Sequence, residues 1–163
     1  MRLRLSFSVD IGSTETGEEI IMGDWADNAL KRLSDQQTNK QTQTDAFLEK
    51  RRVRRDFGMP LWLEVREKVK TNCADLNTKA KHQILTFEVT VNTELSVRGT
   101  IDGVQHFLTA EFDESIGKLS WSSGTSRGIW TIEPTDDGKA EFAGSRGPTT
   151  VDWIVEEMLD ALI

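Results

Sequence analysis

The chain has 163 residues, of which 37% are hydrophobic and 29% charged, and its formal net charge is -7. This length and composition fit one soluble domain that can bury a core without disulfide or metal staples. The acidic balance argues against nonspecific nucleic-acid binding and adhesion to an anionic membrane, because cationic surface drives both. Cys73 is the single cysteine and cannot form an intramolecular disulfide, so a reducing, cytoplasmic location is expected.

The first residues alternate in the two-residue period of a half-buried strand. Apolar side chains occupy every second position from Leu3 to Ile11, with Arg, Ser and Asp between them. Residues 20–22 are expected to return as a short strand, so that residues 1–23 form a hairpin. The alternation and Asp10 argue against a signal peptide, and no stretch approaches the roughly 20 apolar residues of a membrane span.

Helical spacing of apolar residues begins after Asp24, a residue type that caps helices well. Trp25 is expected to contribute to the core. Residues 34–45, which follow, contain no apolar side chain. The favoured interpretation is a solvated loop or an exposed helix. The alternative is one long helix from Trp25 to Phe57 whose polar face stacks against an identical copy, since polar residues at coiled-coil core positions set register.

A helix end is predicted near Gly58 and Pro60, within a helical segment that spans residues 24–80. Gly58 occupies a position typical of a left-handed C-cap, and Pro60 disfavours continuation of the helix. A second helix is then expected over residues 60–76. Its apolar face consists of Trp62, Val65, Val69, Cys73 and Leu76.

Residues 83–143 have the rhythm of an antiparallel meander. Asp102 and Gly103 interrupt the strand-like alternation, and both tolerate the positive φ of a tight hairpin turn. Further glycines separate the later strands. One face of the sheet carries polar side chains and is expected to face water. A C-terminal helix over residues 149–163, capped by one of its first two threonines, carries an apolar stripe that can cover the other face.

These elements predict an α+β fold in a single domain of residues 1–163. It consists of an antiparallel β-meander of five to seven strands with two or three helices packed on one face. Residues 28–81 carry 13 basic and 7 acidic side chains, whereas residues from 83 onward carry 5 basic and 14 acidic ones. We expect this asymmetry to favour packing of the helices on the sheet, and head-to-tail association between copies is the alternative.

A cavity between the helices and the sheet is one candidate site. His106 alternates with apolar positions, so its side chain is expected to face the core, where a neutral histidine bonded to backbone or water is the simplest interpretation. With three large core residues it would line a cavity for a small or apolar ligand. The predicted ligand-binding residues are His106, Trp121, Trp130 and Met158.

Exposed aromatic and basic residues are the candidate interface positions. Trp153 falls outside the stripe of the last helix, and Phe107 lies on the wet face of the sheet; exposed large aromatics often mark interfaces. The basic run at residues 50–55 complements the C-terminal dipole of the first helix, with a site for phosphate, acidic peptide or RNA as the functional alternative. The candidate interface residues are Phe107, Trp153, Arg51, Arg52, Arg54 and Arg55.

The sequence shows no catalytic, metal-binding or cofactor-binding pattern. Residues 124–128 match G-x-S-x-G, but they lie between two predicted strands and both histidines precede them, so a hairpin loop is expected. Two separated histidines and one cysteine give no metal-ligand spacing, and no metal or cofactor is predicted.

The leading functional hypothesis is a non-enzymatic protein-binding or self-assembling module. A protein partner or self-association is expected, whereas binding of nucleic acid or membrane is not. One alternative is a small-ligand carrier with a cavity between helices and sheet. The other is an enzyme whose carboxylates, for example Glu88, Glu111 and Glu133, come together only in the fold.

Overall fold

A computed structural model of the chain describes residues 18–163, with side chains described from Asp24 onward. The chain divides into two units, Met1–Thr44 and Asp45–Ile163. The expectation that residues 1–163 form a single domain stays a prediction. The predicted strand at residues 3–11 lies outside the described residues.

Two helices and seven strands make up the described part of the chain. Helix α1 spans Glu18–Ala80 and helix α2 spans Val151–Asp160. Each strand pairs antiparallel with the next, so the sheet has the order β1 to β7, and the predicted α+β meander is confirmed. The strands are β1 (Leu85–Val91), β2 (Glu94–Ile101), β3 (Val104–Asp113), β4 (Lys118–Ser123), β5 (Ser126–Pro134), β6 (Ala140–Gly144) and β7 (Gly147–Thr149).

Helix α1 begins earlier than the sequence predicts. Because it starts at Glu18, residues 20–22 are helical, and the predicted return strand there is wrong. Residues 34–45 are helical as well, and their side chains are exposed. The hydroxyls of Thr38 and Thr42 each donate to the carbonyl oxygen four residues earlier at 3.0 Å, so these polar donors are satisfied within the helix.

The predicted helix end at Gly58 and Pro60 is wrong, because α1 continues through both residues to Ala80. Gly58 serves close packing instead, since a Cβ at this position would lie only 3.2 Å from Cζ of the Phe112 ring. Packing of α1 against the sheet on both sides of Pro60 outweighs the roughly 3 kcal/mol that an interior proline costs.

One hydrophobic core joins α1, α2 and the inner face of the sheet in Asp45–Ile163. The Trp62 indole stacks on Phe112 with ring centroids 6.0 Å apart, and its Nε1 donates to the carbonyl oxygen of Asn92 at 2.7 Å. Trp62 therefore ties α1 to the sheet by both packing and a hydrogen bond. The buried hydrophobic residues of α1 are Val53, Trp62, Val65, Val69 and Cys73. The last four belong to the predicted apolar face, and its fifth member, Leu76, is half-buried against the same core.

Asn77 fixes the junction between α1 and β1. Its Oδ1 accepts hydrogen bonds from the backbone N–H groups of Ile84 and Leu85, both at 2.8 Å. Its Nδ2 donates to the carbonyl oxygen of Leu85 at 2.7 Å. One side chain thus satisfies three backbone groups where the chain leaves the helix and enters the sheet.

Helix α2 covers the same face of the sheet as the C-terminal part of α1. Thr150 caps it by accepting a hydrogen bond from the backbone N–H of Trp153 at 3.2 Å, which agrees with the predicted cap. At its other end, the Ser123 hydroxyl of β4 donates to the carbonyl oxygen of Ala161 at 3.0 Å. The buried side chains of α2 are Val151, Ile154, Val155 and Met158.

Candidate interaction surfaces

The structure does not bring the four predicted ligand-binding residues together. Trp121 and Trp130 stack with ring centroids 6.3 Å apart, and Met158 is fully buried in the same core. His106 pairs with Gly99 on β2 and lines a separate depression at the surface. Trp130 also lines an open cleft at the surface, and ligand binding by these four residues stays a prediction.

Two glycines in the strands leave space for the side chains of Trp121 and Trp130. Gly128 on β5 lies opposite Trp121, and a Cβ there would overlap the indole nitrogen. A Cβ on Gly144 of β6 would lie 2.8 Å from Cδ1 of Trp130. Because the backbone of each glycine comes this close to an indole, the two rings can stack between the neighbouring strands.

An open cleft of about 760 Å³ adjoins the turn between β6 and β7 and the first turn of α2. Trp130 and Trp153 line it and meet edge to face, with ring centroids 6.3 Å apart. Arg127 of β5 and Arg146 of the turn also line it, as does Glu157, whose Oε2 is buried without a hydrogen-bond partner. We name this site the Trp153 cleft, defined by these five residues.

The two arginines of the Trp153 cleft differ from the other cations in this part of the chain. Residues from 83 onward contain five basic side chains. Two of them form ion pairs, and a third lies opposite a carboxylate on the strand ladder. Arg127 and Arg146 have no carboxylate partner among the residues that the structure describes. The three pairs are Arg98 with Glu88, Lys139 with Asp137, and Lys118 with Asp113, which faces it across the β3–β4 ladder.

The basic run at residues 50–55 lies in the middle of α1, so the predicted interaction with a helix C-terminus is wrong. Lys50 forms an ion pair with Glu133 of β5 at 2.7 Å, and Arg54 approaches the same carboxylate at 3.8 Å. Most of the run is therefore matched by nearby acids, which weakens its interpretation as an anion site. The ion pairs along the helix are Arg52 with Glu49, Arg52 with Asp56 and Arg55 with Asp56.

Hydrogen bonding accounts for the electrostatics of this run. The Arg52 guanidinium donates to both carboxylate oxygens of Glu49, at 2.9 and 2.7 Å. This two-fold hydrogen bond lowers the pKa of Glu49 and raises that of Arg52, since it favours the charged form of each. Arg51 lies instead over the Phe47 ring, 5.9 Å from its centroid.

The two predicted interface aromatics are both accessible to solvent. Phe107 is 48% exposed on the outer face of the sheet, where the Arg98 guanidinium lies 5.5 Å from its ring centroid. Trp153 is 38% exposed at the cleft. Their exposure agrees with the sequence pattern, and their participation in an interface stays a prediction.

The three carboxylates considered for an enzymatic site have different surroundings. Glu88 on β1 pairs with Arg98, whereas Glu133 on β5 pairs with Lys50. Three strands separate β1 from β5, so these two residues lie roughly 19 Å apart across the sheet. Glu111 on β3 lies between them, opposite Glu94. Nothing in this arrangement directs two of the three toward one reacting group.

In the unit Met1–Thr44, the described residues form a helix that exposes large apolar side chains. Trp25, Leu30 and Leu33 are 74%, 64% and 62% exposed, so the expectation that Trp25 joins the core is wrong. Positions 25, 29 and 33 are four residues apart, and positions 26 and 30 lie three residues before 29 and 33. Residues three or four apart are neighbours on a helix surface, so all five lie on one face. We name this surface the Trp25 face, which consists of Trp25, Ala26, Ala29, Leu30 and Leu33.

The helix continues beyond the Trp25 face with polar side chains on the same side. At the same helical spacing follow Gln36, Gln37, Lys40 and Gln43, three amides and one ammonium group. All four are exposed. This surface is therefore apolar over its first two turns and rich in amide groups over the next two.

Comparison with known proteins gives no family assignment. No protein-family model matches the chain, and no curated protein or solved structure shows significant similarity to it. Across residues 18–163, no helix is both long enough and apolar enough to cross a lipid bilayer. Within the same residues, no three His, Cys, Asp or Glu side chains are grouped so that they could hold a metal ion.

Proposed function

We propose that this chain is a non-enzymatic, self-assembling protein-binding module, in which the Trp25 face packs against the same face of a second copy. The observation that supports the proposal is the exposure of Trp25, Leu30 and Leu33 on one side of two consecutive helical turns. Single exposed apolar residues are common on protein surfaces, whereas a cluster of this kind marks a contact surface.

The energetics of the helix favour such a contact. Full burial of a large apolar side chain stabilises a protein by about 1.5–3 kcal/mol, and this face offers three of them. Helices in proteins owe most of their stability to packing of an apolar face, and the Gln, Asn, Thr and Asp residues that dominate residues 34–45 give only moderate intrinsic propensity. Association would supply the packing that this segment needs.

A second copy is the partner that best fits the charge of this segment. Residues 24–44 contain three acidic and three basic side chains, whereas the whole chain carries a net charge of -7. Two such segments can therefore approach without net repulsion. The amide groups of Gln36, Gln37 and Gln43 both donate and accept hydrogen bonds, so they are complementary to an identical surface and can fix the register.

The proposal is tested by measuring molar mass over a dilution series with light scattering after size exclusion. The wild-type chain is expected to show a mass above that of one chain, falling on dilution. The double variant Leu30→Glu/Leu33→Glu should stay monomeric at every concentration, because two carboxylates would have to be buried against the partner. A wild-type chain that is monomeric throughout would contradict the proposal.

A matched control places the same two charges elsewhere on the helix. Asn28 and Thr38 are exposed and lie off the Trp25 face. The double variant Asn28→Glu/Thr38→Glu changes the net charge as much as the first variant and should keep the wild-type mass. If this control also becomes monomeric, general charge repulsion and not the Trp25 face governs the assembly.

A further inference from the structure

We infer that the Trp153 cleft is a second binding site, which takes a short acidic segment of a partner protein. Carboxylates of that segment would bind Arg127 and Arg146, and an apolar side chain between them would pack on Trp153. The site lies entirely within Asp45–Ile163, so the inference is independent of the assembly proposed for the Trp25 face.

Charge identifies the ligand as an anion. Residues from 83 onward carry 5 basic and 14 acidic side chains, a net charge of -9. Among the described residues, Arg127 and Arg146 are the two of these cations with neither an ion pair nor a carboxylate directly opposite on a strand ladder. Both line the same cleft. A guanidinium group has five N–H donors that match a carboxylate in two-fold hydrogen bonds, so an acidic group is the partner that these arginines lack.

The tryptophans provide an adjoining apolar contact. Trp130 is 4% exposed and packs edge to face against Trp153, which is 38% exposed. Trp130 therefore holds the Trp153 ring in place, while the accessible part of that ring remains free to pack against a ligand. Tryptophan and arginine are both among the residue types enriched at the positions that contribute most to binding energy in protein interfaces.

Glu157 favours a peptide over an inorganic anion. Its Oε2 is buried and has no hydrogen-bond partner among the described residues, and it lines the same cleft as the arginines. This carboxylate can accept a hydrogen bond from a backbone N–H, a donor that a peptide carries beside its acidic side chains and that an inorganic anion such as sulfate lacks. The volume of about 760 Å³ is that of a site for a few residues.

The test uses fluorescein-labelled hexapeptides in which two Glu residues flank Leu, Phe or Trp, with the full-length protein and fluorescence anisotropy as the readout. At least one acidic peptide is expected to bind saturably, and its Gln-substituted counterpart at least tenfold more weakly. Binding should weaken as salt is added, since charge pairing contributes. The double variant Arg127→Gln/Arg146→Gln should reduce affinity at least tenfold, and Trp153→Leu should reduce it as well.

Arg98→Gln is the matched control, because Arg98 lies on the same sheet but already pairs with Glu88 at 3.6 Å. It should leave the affinity unchanged. Absence of binding by every acidic peptide, equal binding of the Gln peptides, or equal loss in the Arg98 variant would overturn the inference. Displacement of the peptide by inorganic phosphate at the same concentration as the peptide would also overturn the inference, in favour of a simple anion site.

The same titration in the Leu30→Glu/Leu33→Glu variant separates the two proposals. Peptide affinity should be unchanged there, because the substituted residues lie in Met1–Thr44 and the cleft lies in Asp45–Ile163. Loss of binding in this variant would contradict the inference that the Trp153 cleft binds its ligand independently of assembly. A wild-type chain that is monomeric but still binds the peptide would contradict only the proposed assembly through the Trp25 face.

Discussion

Gly128 of β5 lies directly across the antiparallel ladder from Trp121 of β4, with no space for a Cβ between its backbone and the indole ring. The substitution Gly128→Ala should therefore displace Trp121 from its stack with Trp130. We expect the free energy of unfolding to fall by about 1–3 kcal/mol, as for other insertions into a packed core. Urea unfolding followed by far-ultraviolet circular dichroism measures this change.

A double-mutant cycle identifies the cause of that loss. In the background Trp121→Leu the smaller side chain leaves room for a methyl group, so Gly128→Ala should cost clearly less than in the wild-type chain. An equal cost in both backgrounds would show that the effect comes from the backbone of Gly128 and not from contact with the indole.

Replacing Asn77 should destabilise the junction between α1 and β1. Asn77→Ala removes all three hydrogen bonds to Ile84 and Leu85 and leaves their backbone groups without these partners. The expected loss is about 2–4 kcal/mol in the free energy of unfolding, measured by urea titration. Asn72→Ala is the matched control, since Asn72 is exposed on the same helix, and it should change stability by less than about 0.5 kcal/mol. Similar losses in both variants would refute the bridging role of Asn77.

Pro60→Ala is expected to stabilise the protein. Pro60 is exposed inside α1 and has no N–H to donate to the carbonyl oxygen four residues earlier. Alanine restores this donor and has the best helix propensity, so the free energy of unfolding should rise by about 1–3 kcal/mol. Thermal unfolding at fixed protein concentration measures the change, and a lower melting temperature would indicate that the proline ring makes a stabilising contact.

Cys73 should make stability depend on pH in the alkaline range. It is 2% exposed, and burial raises the pKa of its thiol from 9.0 to about 11. Because the unfolded chain releases this proton first, the stabilising contribution is complete below pH 9 and is lost as pH rises through 11. The free energy of unfolding should therefore fall more steeply over this interval in the wild-type chain than in Cys73→Ala.

Chemical labelling gives a second measurement on the same thiol. At neutral pH the native protein should react with iodoacetamide far more slowly than the urea-unfolded protein, because only the exposed thiolate is nucleophilic. Equal alkylation rates in the two states would contradict the burial of Cys73.

The sheet could be predicted from sequence because its signals are local. Strand alternation needs only neighbouring residues, and the turn after β2 is formed by Asp102 and Gly103, which both adopt positive φ. The end of α1 could not be predicted in the same way. Glycine is a frequent C-cap residue. Here, however, the absence of a side chain at Gly58 leaves room for the ring of Phe112, which is more than fifty positions away in the chain.

The interaction surfaces were only partly predictable for a related reason. Helical spacing shows that Trp25 lies on an apolar face, but not whether the same chain covers that face. The predictions for Phe107 and Trp153 rested on their departure from the core pattern, and both are exposed. Arg127 and Arg146 gave no such signal. Whether an arginine has a carboxylate partner depends on which residues the fold places beside it, and the sequence alone does not show this.

The contacts from Trp121 through Trp130 to Trp153 also give the molecule an optical property. The chain contains no tyrosine, so its absorption near 280 nm comes from tryptophan alone. Indoles held in contact at fixed angles share their excited states, and three of the five tryptophans in this chain are held in that way. The native protein thus contains an asymmetric chromophore with one end at the cleft, and occupancy of the cleft should alter its spectrum without any added label.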